Sequence, residues 1–169
     1  IIVLDPAGNG YWLSDINVLT GVPGTWTNVT TGFVASKQPN DLYVAGASEV
    51  YFCGNGGYIY KSTDIYSGVT VLDAGNVNVS NYQRIHGQDD CIVTVGDSGK
   101  IVKTLNRGVT WANVTLSPTS ATVRAILVLD DFRYWIGTSG GFVYYTINGG
   151  ETFILQTLPG GTLTVIDDI

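Results

Sequence analysis

The side chains able to do chemistry are few in this chain, and they are dispersed. Its single histidine, His86, sits on an apolar stretch. As a general base it would need a hydroxyl or thiol nucleophile beside it. No Ser or Cys context marks such a partner, so packing or a rim position is the reading these residues favour. The acidic pairs Asp89/Asp90, Asp130/Asp131 and Asp167/Asp168 recur at one place in three successive stretches, between what read as a first and a second strand. A calcium site would need several such oxygens converging with backbone carbonyls, whereas hydrogen bonding of Asp to its own turn accounts for each pair separately. Cys53 and Cys91 are flanked by apolar residues four positions out of register, which suits two buried thiols better than a disulfide. No metal-ligand spacing surrounds them, and no cofactor or metal is assigned. Asn106, Asn148 and Asp64 offer amide and carboxylate groups, but each lies in a glycine-containing turn where capping is sufficient work.

Those turns belong to a repeat. Residues 104–111 read Thr-Leu-Asn-Arg-Gly-Val-Thr-Trp, and residues 146–153 read Thr-Ile-Asn-Gly-Gly-Glu-Thr-Phe, 42 positions later without a gap. The shared pattern joins Thr104, Asn106, Gly108, Thr110 and Trp111 to Thr146, Asn148, Gly150, Thr152 and Phe153. A third copy places Ser62, Asp64 and Gly68 at the same spacing with a longer turn and no aromatic. A fourth, more degenerate copy runs over 14–26. Upstream of three copies lies an apolar strand ending in glycine. Matching Gly54, Gly96 and Gly137 makes these units 42 and 41 residues apart. In each copy glycine supplies positive φ, Asp or Asn accepts backbone N–H groups, and the aromatic opens the next strand and shields the turn.

This unit resembles the Asp-box repeat of bacterial neuraminidases, and more loosely the propellers of the photosystem assembly factor and sortilin type. The resemblance spans nearly the whole chain at the level of blades, and a period near 42 with three or four short strands is in the range of propeller blades. The expectation is an all-β propeller of about four Asp-box blades, with repeats near 1–35, 36–77, 78–119 and 120–161, and residues 162–169 opening or closing a further blade. Either the ring closes with four blades, its termini sharing one, or the chain is an excerpt of a larger propeller. The absence of methionine favours the excerpt, or assembly with another copy or subunit.

The neuraminidase resemblance also invites a sialidase reading. Such enzymes use an arginine cluster for the substrate carboxylate, a Tyr/Glu nucleophile pair and an acid Asp. Here Arg107 and Glu151 fall in Asp-box turns at the outer edge, Arg84 and Arg124 are one register position apart, and Arg133 and Glu49 complete the inventory. These positions do not converge on a central active site.

Composition narrows the partners. The 169 residues are 44% hydrophobic and only 13% charged, with net charge −6, and mean hydropathy is +0.20. An apolar, weakly charged surface points to faces that meet other proteins. Eight scattered Lys and Arg residues make no basic stripe for nucleic acid, and no run approaches the length of a membrane helix. Sequons at Asn28, Asn78 and Asn113 matter only in a eukaryotic secretory setting. Tyr11, Trp12, Tyr82, Trp135 and Tyr145 lie at strand ends, where they would stack on sugars or pack between blades.

The sequence therefore predicts a non-catalytic propeller module binding protein or glycan partners or assembling with itself. Its composition suits an extracellular or virion-surface protein, such as a phage head or tail component. The alternatives are a glycoside hydrolase of sialidase or xyloglucanase type and an assembly chaperone resembling the photosystem factor, which would require a basic patch.

Overall fold

Alternation of apolar and polar residues between glycine turns produces antiparallel hairpins throughout the chain. The computed structural model describes residues 2–4, 11–13, 22, 24–29, 32–64, 66–75, 77, 79–116, 120–158 and 164–169. Four antiparallel sheets follow one another along the chain. The first holds β1 (Ile2–Leu4), β2 (Tyr11–Leu13) and β3 (Thr27–Val29). The second holds β4 (Pro39–Val44), β5 (Val50–Gly54), β6 (Tyr58–Ser62) and β7 (Thr70–Ala74). The third holds β8 (Tyr82–Gln88), β9 (Cys91–Gly96), β10 (Lys100–Thr104) and β11 (Ala112–Thr115). The fourth holds β12 (Val123–Val128), β13 (Tyr134–Thr138), β14 (Val143–Thr146) and β15 (Ile154–Gln156). Strands in each sheet pair in chain order. The first strands stand side by side, β4 against β8 and β8 against β12. This is the expected all-β propeller architecture, with each sheet a blade. Among the described residues there is no α-helix, only single 3-10 turns at Asn55–Gly57 and Asp97–Gly99.

Apolar faces fill the space between consecutive blades. Tyr11 and Val29 of the first blade meet Val50, Phe52 and Tyr60 of the second. On the other side of the second blade, Tyr51, Cys53 and Ile59 meet Ile85, Ile92 and Val102 of the third. Val93, Val95 and Ile101 then meet Ile126, Tyr134 and Ile136 of the fourth.

A blade's inner strand is a sheet edge with one row of unpaired backbone groups. Side chains of the preceding blade satisfy part of that row. Asn40 Nδ2 donates to the Tyr82 carbonyl at 2.7 Å, Asp41 Oδ2 accepts from the Ile85 amide at 3.0 Å, and His86 Nδ1 accepts from the Val128 amide at 3.1 Å.

The register corrects two sequence readings. Val50, Ile92 and Tyr134 each pair with the hydroxyl residue that opens a turn motif: Ser62, Thr104 and Thr146. The spacing is therefore a uniform 42, and Thr138, not Gly137, occupies the place of Gly54 and Gly96. What the turns demand is positive φ three residues later, which Gly57, Gly99 and Gly141 supply at 78°, 71° and 75°. Gly137 answers a different need, since a Cβ there would lie 2.3 Å from Ile166 Cγ2. The second correction concerns 162–169, read as the opening strand of a further unit. Its described residues, 164–169, form no strand. The Ile166 amide donates to the Thr138 carbonyl at 3.0 Å, but no second strand flanks the segment to complete a ladder.

Candidate functional site

The inner strands and the C-terminal segment enclose a cavity of about 320 Å³, lined by Asp41, Leu42, Arg84, Ile85, His86, Ile126, Asp167 and Asp168. Its polar groups are engaged. Asp41 and His86 hold the backbone bonds described above, Arg84 donates to the Gln83 carbonyl at 2.9 Å, and Asp167 takes Arg124 at 3.1 Å. Burial raises the Asp41 carboxyl above the usual range, opposed by amide bonds from Ile85 and Leu42 and by the charge of Arg84. Burial lowers His86, with Asp41 pulling the other way. A neutral imidazole whose Nδ1 is an acceptor suits its bond to Val128. His86 also packs at 5.4 Å from the ring of Tyr43.

Sequence reasoning missed this pocket. Asp41 carried no motif, and Asp167/Asp168 were expected in a turn. Asp89/Asp90 and Asp130/Asp131 do lie between first and second strands, and Asp130 Oδ1 accepts the Phe132 and Arg133 amides at 2.9 and 2.7 Å. Asp167/Asp168 instead line the pocket, because no second strand follows them in this chain.

A second cluster lies at the turn-motif end, between the second and third blades. Arg107 Nε contacts Asp90 at 2.8 Å and its NH1 contacts Glu49 at 3.3 Å, while Lys61 reaches Glu49 at 2.7 Å. The Tyr51 hydroxyl donates to Glu49 and lies 3.0 Å from the Arg107 carbonyl. Partial burial works against ionised Glu49, but bonds from Lys61 and Tyr51 and the charges of Lys61 and Arg107 outweigh it and lower the carboxyl. Burial, then Glu49, raises the Tyr51 phenol. Tyr, Glu and Arg do meet here, contrary to the expectation that they stay apart. Tyr51 is fully buried, however, and the cluster fastens two blades away from the inner-strand pocket.

The turn motifs themselves are polar networks. Thr104 Oγ1 donates to Asn106 Oδ1 at 2.8 Å and accepts the Asn106 and Gly108 amides at 3.2 and 2.9 Å. Asn106 Nδ2 donates to Thr110 Oγ1 at 2.8 Å, and Asn106 Oδ1 accepts the Thr110 amide at 2.9 Å. Thr146, Asn148, Gly150 and Thr152 repeat all five bonds, at 2.9, 3.3, 3.0, 2.9 and 3.0 Å. Phe153 packs edge-on against Tyr134 at 5.9 Å, and Trp111 packs into the cluster of Tyr51 and Leu72 on the neighbouring blade. In the third copy Asp64 Oδ1 accepts the Tyr66 amide at 3.1 Å, Thr70 donates to the Lys61 carbonyl, and Ser62 is buried. Ser14 and Asp15 of the fourth copy lie outside the described residues, as do the side chain of Trp12 and the sequon at Asn78. Of the remaining strand-end aromatics, Tyr11 and Tyr82 are fully buried, while Trp135 and Tyr145 stack at 6.0 Å and 20° on a partly exposed face. Cys53 and Cys91 are buried free thiols.

No family model matches the chain, and no curated protein matches it. Solved structures do. YCF48 bound to a D1 peptide superposes with TM-score 0.63 at 17% identity, covering 73% of this chain and 42% of that one. The computationally designed Ika4 protein gives 0.62 at 14% identity, covering 82% of both chains. The GH74 enzyme of Niastella koreensis gives 0.58 at 20% identity, covering 91% of this chain and 28% of its own. The chain thus spans less than half the length of the YCF48 and GH74 structures, and the likeness is one of β-propeller fold.

Proposed function

We propose that the chain is a non-catalytic propeller module whose inner-strand pocket holds a segment of a partner protein. The observation carrying this reading is that Asp41, His86, Arg84 and Asp167 are committed to backbone groups or a counter-ion. A general base or nucleophile must be free to exchange a proton or form a bond with substrate, and these groups serve cohesion. Three carboxylates face one arginine in the pocket, so it suits a segment presenting a Lys or Arg side chain. The turn networks at Thr104–Asn106–Thr110 and Thr146–Asn148–Thr152 are read as Asp-box turns with a structural role, each closing one of the four repeats of a single domain. Low charge and acidic balance favour an extracellular or virion-surface setting, and a glycan is the alternative partner. The chaperone alternative requires a basic patch, and Arg107, Arg124 and Arg133 are each paired with acid.

The test has two arms. Lysine-containing extended peptides titrated against the isotope-labelled protein should shift resonances around His86 and Ile126, and Asp168→Asn should weaken that binding. Turnover of fluorogenic sialosides or β-glucans, lost in Asp41→Asn, would establish the hydrolase reading instead.

A further inference from the structure

Consecutive blades meet through equivalent rows of side chains, and one such row lacks a covering blade. In the second blade the row is Tyr43, Tyr51, Lys61 and Thr70, each paired with the next across the sheet. In the third it is His86, Val93, Lys103 and Ala112. Tyr51 and Val93 are fully buried by the blade that follows. That blade also seats its turn glycine on the preceding outer strand. A Cβ on Gly108 would lie 2.6 Å from Leu72, and one on Gly150 would lie 2.6 Å from Val114. The matching row of the fourth blade is Leu127, Trp135, Tyr145 and Ile154. It carries no charge, because Tyr145 replaces the lysine of the other two rows. Trp135 and Tyr145 remain partly exposed, and Ile154 is 44% exposed.

Residues 164–169 have begun to cover this face. Ile166 rests on Gly137 and bonds to Thr138, the place that β8 and β12 take beside β5 and β9. What the face lacks is the remainder of a blade. The first sheet has the complementary composition. β1 lies against β4 as β5 lies against β8 and β9 against β12, so its three strands correspond to the second, third and fourth of a blade, and β1 pairs with no inner strand among the described residues.

We infer that this face binds the three-stranded first sheet of a second copy of the chain, building a composite blade with residues 164–169. The contact is heterologous, head to tail, and two such contacts close a twofold ring. It does not depend on what the inner-strand pocket binds.

Sedimentation equilibrium of the chain over a concentration series tests it. The expected result is a species of twice the 18.0 kDa monomer mass. Ile154→Lys changes a side chain already half exposed, so the fold persists by circular dichroism, and association should weaken at least tenfold. Tyr145→Asp should act likewise. A wild-type chain monomeric throughout overturns the inference, as does a dimer that neither variant weakens. A monomer whose Trp135 fluorescence shifts only with an added oligosaccharide assigns the face to sugar and overturns it equally.

Discussion

The Val128 amide donates to Nδ1 of His86 across the junction of the third and fourth blades, at 3.1 Å. That bond requires an unprotonated Nδ1, which gives the junction a pH dependence of definite sign. Burial lowers the folded-state pKa of His86 below its ordinary 6.5, against a smaller opposing pull from Asp41. The unfolded chain therefore takes up the proton first as pH falls. The contribution of His86 is complete above about pH 6.5 and is lost as pH drops through the folded value. Urea midpoints measured from pH 8 to 5 should fall in wild type, and His86→Asn should flatten that slope. A slope unchanged by the substitution would dissociate His86 from it.

The two strong turn motifs should respond alike to loss of one hydroxyl. Thr104→Val removes the acceptor of the buried Gly108 amide, and Thr146→Val removes that of Gly150. Each should cost about 1–3 kcal/mol, the cost of a buried donor left unpaired. Thr→Ser at either site should recover most of it. Thermal melts of the four variants check this.

Glycine substitutions separate conformation from space. Gly150 has φ +96°, and a Cβ there would meet the Tyr134 hydroxyl at 2.0 Å, whereas nothing lies within 4 Å of a Cβ at Gly46. Gly150→Ala should destabilise by more than about 1 kcal/mol, and Gly46→Ala should be neutral or slightly stabilising. Chemical denaturation of both variants measures the contrast.

Two buried tyrosines should behave oppositely. The Tyr51 hydroxyl serves Glu49, and the Tyr82 hydroxyl is buried without a hydrogen-bond partner. Tyr51→Phe should cost on the order of 1–2 kcal/mol, whereas Tyr82→Phe should be neutral or stabilising. Equal losses in denaturation midpoint would contradict this assignment.

Burial raises both thiols, Cys91 to about 11, so little thiolate forms near neutrality. Neither cysteine should react with a thiol-specific chromogen at pH 8 until the chain unfolds. Prompt labelling of one equivalent in native protein would refute this.

The repeat was legible because its motif is local. Thr104 to Trp111 and Thr146 to Phe153 make their bonds within eight residues, so spacing alone exposed them. The register error at Gly137 arose because sequence matching rewards identical residues, whereas the pairing partner of Thr146 decides the register. The inner-strand pocket was less accessible still. Asp41, Arg84 and Asp167 belong to different units, more than 40 residues apart, and only the side-by-side packing of β4, β8 and β12 brings them together.

The stitches from Asn40, Asp41 and His86 all end on main-chain atoms of the next inner strand. Every residue except proline offers that amide, and every residue offers that carbonyl. The receiving blade is thus read by its backbone alone, and its side chains are free to drift. An architecture joined in this way can persist while its units grow unlike one another, as the third and fourth blades have, and as propellers sharing under a fifth of their residues with this chain have.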